Sequence, residues 1–342
     1  MRILSIGLDR SALDPNSKTA KRVAEYKNLV EKYIVLVPEK QSKIVALFDL
    51  YKRSKDIIEK ENINLITVQD QYFIGLLGYV LAKKYGIRLE VQIHGFEKFF
   101  GIRKWIAKFV LPRANSVRVV SQRLKNQLTK EFGVNEEKIN VVPIFVDTKS
   151  ALSLRGVERR GNLYPFIFLT VGRLVPVKNI ALQIEALREV LNKYPQAELW
   201  IVGDGPELNK LKALCQRLNV ENNVSFLGYQ ENVDSFYDQA DVFLLTSNSE
   251  GWGMAVVEAA SHGLPIIMTD VGLAGEVIIN NESGLVIPVG DKQGLVQAML
   301  KLIEDNELRS KLASGAIDAI KKLPSKEEVL RLYKESWQKA LL

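Results

Sequence analysis

Short apolar runs alternate with longer segments of helical period along almost the whole chain. In the first half the runs are RILSIG, YIVLV, INLITV, RLEVQI and SVRVV; in the second half they are FIFLTVG, AELWIVG, NVSFLG, DVFLLT, LPIIMT and SGLVIP. Short apolar runs that alternate with helical segments are typical of βαβ units, in which parallel strands are buried by helices on both faces. The pattern therefore predicts an α/β fold with parallel sheets.

One polar segment interrupts this alternation. DTKSALSLRGVERRGNLYP, at 147–165, contains two glycines and a proline, and we interpret it as a domain linker. At 342 residues the chain is long enough for two ordinary domains. We predict two doubly wound Rossmann-like domains, 1–150 and 151–325, with a crevice facing the carboxyl ends of both sheets, where such sheets bind ligands. Residues 326–342 are predicted to form a C-terminal helix that packs back toward the first domain.

Two loops at predicted strand ends are candidates for ligand contacts, one because it holds basic residues and the other because it holds glycines. RLVPVKN follows FIFLTVG and places Arg173 and Lys178 before a helix, where free backbone N–H groups also favour an anion. The alternative is a solvated loop with two surface charges. GDGPEL, after AELWIVG, lacks the third glycine of a dinucleotide fingerprint, so we interpret Gly203 and Gly205 as a tight turn between strand and helix.

The segment DVFLLTSNSEGWGMAVVEAASHG combines glycines with two carboxylates. Residues 254–260 are apolar except for Glu258, which predicts a helix buried on every side. A carboxylate in such a helix is costly unless it is paired. The glycines before the helix favour a phosphate at its N-terminus, and Glu250 and Glu258 would then suit the hydroxyl groups of a sugar. The alternative is that Glu258 pairs with a buried Arg or Lys.

Composition narrows the class of protein. An apolar content of 47% with 25% charged residues is typical of a globular chain and excludes a disordered one. The lone Cys215 lies on the apolar stripe of a helical segment, which indicates a core residue and a reducing compartment. MRILSIGL is too short for a signal peptide, and FIGLLGYVLA is about half as long as a membrane span. We expect a cytoplasmic protein, or one attached to a membrane from that side.

Charge is distributed unevenly along the chain. Residues 1–160 hold 30 Lys and Arg against 17 Asp and Glu, a balance of +13, whereas 161–342 carry −6. Such an asymmetry suggests that the first half meets an anionic surface or ligand. A nucleic-acid-binding protein is the alternative, but no helix-turn-helix, zinc-finger or RNA-recognition signature is present. We therefore expect no nucleic acid partner.

The segment 98–130 holds nine Lys or Arg residues and no Asp or Glu. Within it, FFGIRKWIAKFVLPR places apolar residues at helical spacing with basic residues between them. A basic amphipathic helix with aromatic residues suits the interface of an anionic membrane. The alternative is a helix that packs its apolar stripe on its own sheet. The candidate membrane-facing residues are Arg103, Lys104, Trp105, Lys108 and Phe109.

EGWGMAVVE, from Glu250 to Glu258, resembles the E-x7-E motif of retaining GT-B glycosyltransferases of glycosyltransferase family 4. Trp252 stands where that family usually has Phe. TVGRLVPVKN resembles the family's phosphate loop, IVGDGPE its next strand and turn, VSFLGYQENV its base-binding region, and VVPIFVD the segment that closes its first domain. In this order and spacing the resemblance covers nearly the whole chain.

The resemblance implies a role for each matching position. Arg173 and Lys178 would bind the diphosphate of a UDP- or GDP-sugar and stabilise the leaving nucleoside diphosphate. Glu258 would hold the ribose, and Glu250 and His94 would face the transferred sugar. The implied catalytic residues are Glu250, His94, Arg173 and Lys178. The implied donor-binding residues are Gly7, Gly172, Arg173, Lys178, Tyr229, Glu250, Trp252, Gly253 and Glu258.

The reaction implied is sugar transfer with retention of anomeric configuration, through front-face substitution assisted by the departing phosphate. The acceptor would be lipid-linked or a saccharide, in the assembly of cell-surface polysaccharide or glycolipid. No Asp-x-Asp metal motif follows a comparable strand, so we expect no cofactor and no essential metal. A sugar-nucleotide epimerase or a phosphorylase of the same fold is the competing enzyme class.

The first loop departs from the family pattern. Family members often carry a Gly-Gly pair there, whereas GLDRSALDPNSKTA has Gly7 alone. Ser17 and Lys18 lie further along the same loop and are the residues that could take over its contacts. His262, in ASHGLP near a helix C-terminus, where a cation suits the helix dipole, is interpreted as structural.

Overall fold

The computed structural model describes residues 1–39, 43–95, 101–146 and 165–342. The chain divides into two compact units, one formed by Met1–Phe145 with Pro324–Leu342 and the other by Val146–Leu323. The predicted linker lies outside the described residues except for Pro165. Each unit is an α/β body around its own parallel sheet, as the alternating pattern predicted.

The first unit contains a six-stranded parallel sheet in the order β2-β1-β3-β4-β5-β6. Its strands are β1 Arg2–Ile6, β2 Lys32–Leu36, β3 Leu65–Val68, β4 Arg88–Ile93, β5 Ser116–Val119 and β6 Ile139–Val141. Its helices are α1 Lys18–Lys27, α2 Lys43–Glu61, α3 Phe73–Tyr85, α4 Ile102–Val110 and α5 Gln122–Phe132. The five apolar runs of the first half all form strands. The pattern missed β6, because Asn140 and Pro143 interrupt the apolar run in which this strand lies.

The second unit contains a parallel sheet of the same size, in the order β12-β11-β10-β7-β8-β9. Its strands are β7 Ile167–Val171, β8 Glu198–Val202, β9 Val224–Gly228, β10 Val242–Leu245, β11 Ile266–Thr269 and β12 Leu285–Ile287. Its helices are α6 Ile180–Val190, α7 Leu208–Leu218, α8 Asp234–Gln239, α9 Met254–Ser261, α10 Lys292–Glu304 and α11 Asn306–Ile320. The central strands β7 and β10 are neighbours, so the loops that follow them leave the sheet side by side.

The last helix, α12 Lys326–Leu341, packs on the first unit. It begins with a capping box in which Ser325 and Glu328 satisfy each other's backbone N–H groups. Its Trp337 is fully buried beside Tyr26 and Tyr33. Among the helices described here, none is both long enough and apolar enough to span a bilayer.

Cys215 is buried in the core of the second unit, as its place on an apolar stripe predicted. Burial raises the pKa of its thiol to about 11. The thiol is therefore protonated at neutral pH, and the interpretation as a core residue is confirmed.

Candidate active site

The loops that follow β7 and β8 are bonded to each other along their backbones. Gly172 N–H donates to the carbonyl of Val202 at 2.9 Å, and Leu174 N–H donates to that of Asp204 at 2.9 Å. A Cβ atom on Gly203, whose φ is +136°, would lie 1.9 Å from the Gly172 carbonyl oxygen. The GDG segment is therefore a turn that requires glycine for close backbone approach, as predicted. It fixes the start of the segment that carries Arg173 and Lys178.

The end of the same segment is bonded to the loop after β10. Lys178 ends a 3₁₀ helix, Pro176–Lys178, directly before α6. The Thr246 hydroxyl donates to the carbonyls of Lys178 and Asn179, at 3.3 and 3.1 Å, and it accepts from Gln183 Nε2 at 2.8 Å. The backbone that carries Lys178 is thus held at the carboxyl ends of two neighbouring strands.

Lys178 and Glu250 form an ion pair. The Lys178 ammonium donates to Glu250 Oε1, and the Ser247 hydroxyl donates to the same oxygen at 2.7 Å. The two charged side chains are 22% and 13% exposed, which makes the pair sheltered and still reachable from solvent. Arg173, at the other end of the loop, is exposed. The structure therefore places Lys178, which is predicted to bind the diphosphate, in contact with Glu250, which is predicted to bind the sugar.

Helix α9 begins at the glycine-rich segment. Gly253 is its N-cap residue, with φ +110°, and no side chain caps the helix there. Trp252, directly before it, is only 3% exposed. Its indole Nε1 is buried and has no hydrogen-bond partner among the described residues. A helix end without a side-chain cap leaves backbone N–H groups available to an anion.

The prediction that α9 is buried on every side is wrong. Met254 is 42% exposed, and Glu258, one turn further on the same face, is partly exposed. The alternative partner for Glu258, a buried Arg or Lys, is not found within 4 Å in the described part of the chain. Instead the hydroxyl of Tyr237 on α8 donates to Glu258 Oε2 at 3.0 Å. Burial, and then the Glu258 charge, raise the pKa of Tyr237 well above its ordinary value, which keeps it a donor.

His262 lies behind this pair. Its ring stacks on Tyr237, with centroids 5.2 Å apart, and its Nδ1 lies 2.8 Å from Asp238 Oδ1. The histidine therefore supports the tyrosine that holds Glu258, and its interpretation as structural is confirmed. The other predicted donor residue of this unit, Tyr229, follows β9 and is 78% exposed.

Two predicted site residues lie at strand ends of the first unit. Gly7 follows β1 and is buried; a Cβ there would lie 3.0 Å from Gln69 Oε1. His94 follows β4 and keeps an exposed side. The protein around the imidazole, and then the charges of Arg118 and Arg22, lower the pKa of His94; because the side chain is exposed, solvent moderates this shift. His94 is therefore uncharged at neutral pH. In the same first loop, the Ser17 hydroxyl accepts from Ala20 N–H and caps α1.

The residues of the basic segment differ in solvent exposure. On α4, Ile102 and Trp105 are 68% and 80% exposed, and Phe109 on the same face is 41% exposed. Ala107 and Val110 are fully buried on the opposite side. Only part of the apolar stripe therefore packs on the unit itself, and the rest faces solvent between basic residues.

Arg118 does not belong to that basic surface, although the segment 98–130 counted it there. It is 3% exposed, because it pairs with the buried Glu90 inside the first sheet.

Over the ranges that the structure covers, no group of three or more His, Cys, Asp or Glu side chains is arranged to hold a metal ion.

Sequence reasoning missed Ser247 and Tyr237, which hold the two glutamates. Ser247 stands three residues before Glu250 in a polar loop, and Tyr237 lies on a short helix 21 residues before Glu258. No periodic or motif signal points to either, because the contacts depend on the tertiary arrangement.

Comparison with known proteins identifies two family models on the chain. Residues 13–150 match the model described as Glycosyltransferase Family 4, and residues 159–319 match Glycosyl transferases group 1. The chain is 26% identical over 299 residues to N-acetyl-alpha-D-glucosaminyl L-malate synthase of Bacillus anthracis, covering 84% of this chain and 78% of the relative.

Two further proteins are similar. The UDP-Gal:alpha-D-GlcNAc-diphosphoundecaprenol alpha-1,3-galactosyltransferase of Escherichia coli is 27% identical over 311 residues, with 81% of this chain and 78% of the relative covered. The structure of Anabaena HepE in complex with UDP and glucose superposes with a TM-score of 0.80 at 20% identity, over 99% of both chains, and shows the same fold. The chain belongs to glycosyltransferase family 4, the retaining GT-B enzymes that transfer sugars from nucleotide-sugar donors.

Proposed function

We propose that this enzyme uses a UDP-sugar, and that Arg173, Lys178, Glu250 and Glu258 form its donor site. The observation that carries the proposal is the arrangement after β7 and β10: Lys178 pairs with Glu250, and the helix that follows, α9, begins without a side-chain cap and carries Glu258 on its partly exposed face. The names of two relatives support uridine, since one is a UDP-Gal transferase and one was solved with UDP and glucose. The second unit would bind the donor and the first the acceptor.

Each of these residues is assigned one role in donor binding. Lys178 and Arg173 would bind the diphosphate and stabilise the negative charge that develops on it as the sugar leaves, with the backbone of Gly172 and Gly253 beside it. Glu258, oriented by Tyr237, would accept hydrogen bonds from the ribose hydroxyls. Backbone N–H groups around Trp252 and Gly253 would meet the sugar or the phosphate, and Tyr229 would lie against the base.

Glu250 and the uncharged His94 would hydrogen-bond the transferred sugar, and Gly7 would let it approach the first loop. Neither glutamate acts as a covalent nucleophile in this proposal. The sugar would leave as an oxocarbenium-like group, the acceptor hydroxyl would attack from the same face, and the departing phosphate would accept the hydroxyl proton. The anomeric configuration is then retained.

A thermal-shift panel tests the donor. Uridine, guanosine and adenosine diphosphates and their sugars are added to the wild type and to Glu258→Gln. A nucleotide at a hundred times its dissociation constant adds about 2.7 kcal/mol of stability. We expect the largest shift with a UDP-sugar and a smaller one in the variant. A larger shift with another base overturns the uridine assignment, and equal shifts in both proteins overturn the role of Glu258.

Measurement of the rate of sugar transfer tests the proposed role of Arg173 and Lys178. Arg173→Ala and Lys178→Ala should each slow transfer by about 10²-fold or more, the usual loss when a donor to developing charge is removed. Lys210→Ala is the matched control, because Lys210 is an exposed lysine that pairs with Glu207 on the surface of the same unit. Release of nucleoside diphosphate should require an acceptor, which separates transfer from epimerisation and phosphorolysis. Full activity in either variant would show that the substituted residue is an ordinary charged residue with no role in transfer.

We propose further that the acceptor is lipid-linked or otherwise presented at a membrane, and that α4 contacts anionic lipid on the cytoplasmic face. The exposed Ile102, Trp105 and Phe109 support this, with Arg103, Lys104 and Lys108 between them. Each basic residue near an anionic surface adds about 1 kcal/mol. The Escherichia coli relative, by its name, acts on a diphosphoundecaprenol acceptor.

Vesicle co-sedimentation tests the surface. We expect binding to vesicles with anionic lipid that weakens at high salt, and its loss when Arg103, Lys104 and Lys108 are changed to Glu. Nucleotide binding should not change. Reversal of Lys301, an exposed lysine of the second unit, is the control. Equal recovery with neutral and anionic vesicles, or none with either, overturns the proposal.

A further inference from the structure

Helix α8 carries the tyrosine that holds Glu258, yet this helix is only six residues long. A helix of that length is not stable by itself in water, so tertiary contacts must fix its position. Tyr237 is the buried residue of α8 and is 1% exposed. The place of its hydroxyl group therefore depends on what packs against its ring.

Helix α9 and the residue that ends it contact this tyrosine at two points one turn apart. Glu258 and His262 are four residues apart in the sequence, which places them on the same face of the helix. The Tyr237 hydroxyl donates to Glu258 Oε2 at 3.0 Å, and its ring stacks on the imidazole of His262 with 25° between the two planes. Phe243 of β10 also lies against the tyrosine ring, with centroids 5.9 Å apart. Tyr237 is thus held between α9 and the sheet.

The imidazole of His262 is itself fixed by two carboxylates of α8. Its Nδ1 lies 2.8 Å from Asp238 Oδ1, and its Nε2 lies 3.5 Å from Asp234 Oδ1. An ionised carboxylate can only accept a hydrogen bond, so Nδ1 carries the proton in the bond to Asp238. The histidine side chain is 10% exposed. His262 therefore joins the end of α9 to α8 from a nearly buried position, at the residue next to Tyr237.

These contacts order the Glu258 carboxylate in advance of any ligand. Glu258 is partly exposed, and a flexible side chain that is ordered only when a ligand binds lowers the affinity. The bond from Tyr237 fixes one carboxylate oxygen beforehand. Because a carboxylate can accept about four hydrogen bonds, the tyrosine leaves capacity for the hydroxyl groups of a ligand.

We propose that His262, held by Asp238, is a positioning residue that orients Glu258 through Tyr237 for recognition of the ribose. The inference rests on the proposed place of Glu258 at the ribose, and it gives the structural histidine a consequence for binding. Since His262 acts only through the tyrosine, its effect is confined to the part of a nucleotide that Glu258 contacts. The effect is the same for uridine, guanosine and adenosine nucleotides, because all of them contain the ribose.

Two nucleotides separate this role from a general effect on the fold. UDP carries both ribose hydroxyl groups, whereas dideoxy-UDP lacks both and cannot bond to Glu258 through its sugar. We expect wild type to bind dideoxy-UDP about ten-fold or more weakly than UDP, because hydrogen bonds to a charged group are lost. His262→Ala should weaken UDP binding about two- to ten-fold, the effect of leaving one long side chain to be ordered on binding. It should leave the Kd of dideoxy-UDP unchanged.

A double-mutant cycle tests the route through the tyrosine. Added to Tyr237→Phe, the change His262→Ala should cause no further loss of UDP affinity. His262→Phe keeps a ring against the tyrosine without the bond to Asp238, and it is the second route if the alanine variant folds poorly. Its Kd for UDP should lie between those of wild type and His262→Ala. Gln239→Ala is the control, because Gln239 is exposed on the same helix and donates to the carbonyl of Ser235; both nucleotides should bind it as they bind wild type.

The outcomes distinguish the inference from the proposed function. If wild type binds UDP and dideoxy-UDP equally, Glu258 is not at the ribose, and the proposed role of that residue fails together with the inference. If wild type distinguishes them, but His262→Ala weakens both nucleotides equally or neither, only the inference fails and His262 is a residue of the fold alone. A further loss in the Tyr237→Phe background overturns the route through the tyrosine. A wild-type Kd in His262→Phe overturns the part assigned to Asp238.

Discussion

Replacing Glu250 by glutamine is expected to tighten the binding of a nucleoside diphosphate while it slows sugar transfer. In the wild type Glu250 accepts from Lys178, the residue proposed to bind the diphosphate. A diphosphate must therefore compete with a carboxylate for the same ammonium. Glutamine keeps the size and the contact with Ser247 but releases the full charge of Lys178.

The magnitude follows from the burial of the pair. A hydrogen bond to a charged group contributes about 1.5–3 kcal/mol. The two side chains are 22% and 13% exposed, so solvent screens part of this, and we expect a gain of about 1 kcal/mol in binding. That is about a five-fold lower Kd. Transfer should slow, since the sugar loses a charged acceptor.

Calorimetric titration with UDP measures the effect in four proteins: wild type, Glu250→Gln, Lys178→Met and the double variant. Lys178→Met should weaken binding, and Glu250→Gln should give no gain without the lysine. Glu282→Gln, at an exposed position of the same unit, is the control. Unchanged or weaker binding in Glu250→Gln refutes the reasoning. A gain that persists without Lys178 assigns the effect to simple repulsion between Glu250 and the diphosphate.

Three further substitutions, together with one control, test the surroundings of the site. Gly203→Ala should destabilise the second unit by about 3 kcal/mol or more in urea unfolding, because its Cβ would meet backbone 1.9 Å away. Gly290→Ala, also at positive φ but in open space, should cost only about 1 kcal/mol, and equal losses would contradict the argument. Trp252→Phe removes a buried donor that has no partner in the described part of the chain, which offsets the cavity that the smaller ring leaves, so stability should change by less than about 1 kcal/mol; a loss of about 3 kcal/mol or more would show that the indole N–H is satisfied. Tyr237→Phe should weaken UDP-sugar binding about five-fold by freeing Glu258, and an unchanged Kd would make the tyrosine a packing residue.

The fold was predictable because its signal is local. Each buried strand of about four to six residues stands in the sequence as an apolar run, and each helix shows its own period. The exception is β6, whose apolar run is interrupted by Asn140 and Pro143; β12 is equally short but lies in the longer run SGLVIP. The relative placement of the two units, and with it the predicted crevice, stays a prediction.

The contacts of the site were not predictable, because they join distant segments. Lys178 and Glu250 are 72 residues apart, and Glu90 meets α12 across 246 residues. A sequence shows that a residue is charged but not which charge stands opposite it. Arg118 illustrates the difference. It was counted among the basic residues of the segment 98–130, whereas a carboxylate on the adjacent strand and a tyrosine from the last helix bury it.

Helix α9 shows how a wrong prediction about burial can still indicate the site. Its apolar sequence predicted a helix covered on every side, yet its own unit leaves Met254 and Glu258 partly open on one face. That face carries the only charge of the helix, oriented by a buried tyrosine, and it starts at an uncapped N-terminus. An apolar side chain left open beside an oriented carboxylate is what a bound nucleoside would cover. The bound donor would then cover the face of α9 that the protein leaves open. Met254 and Glu258 should therefore lose solvent exposure together when UDP-sugar binds.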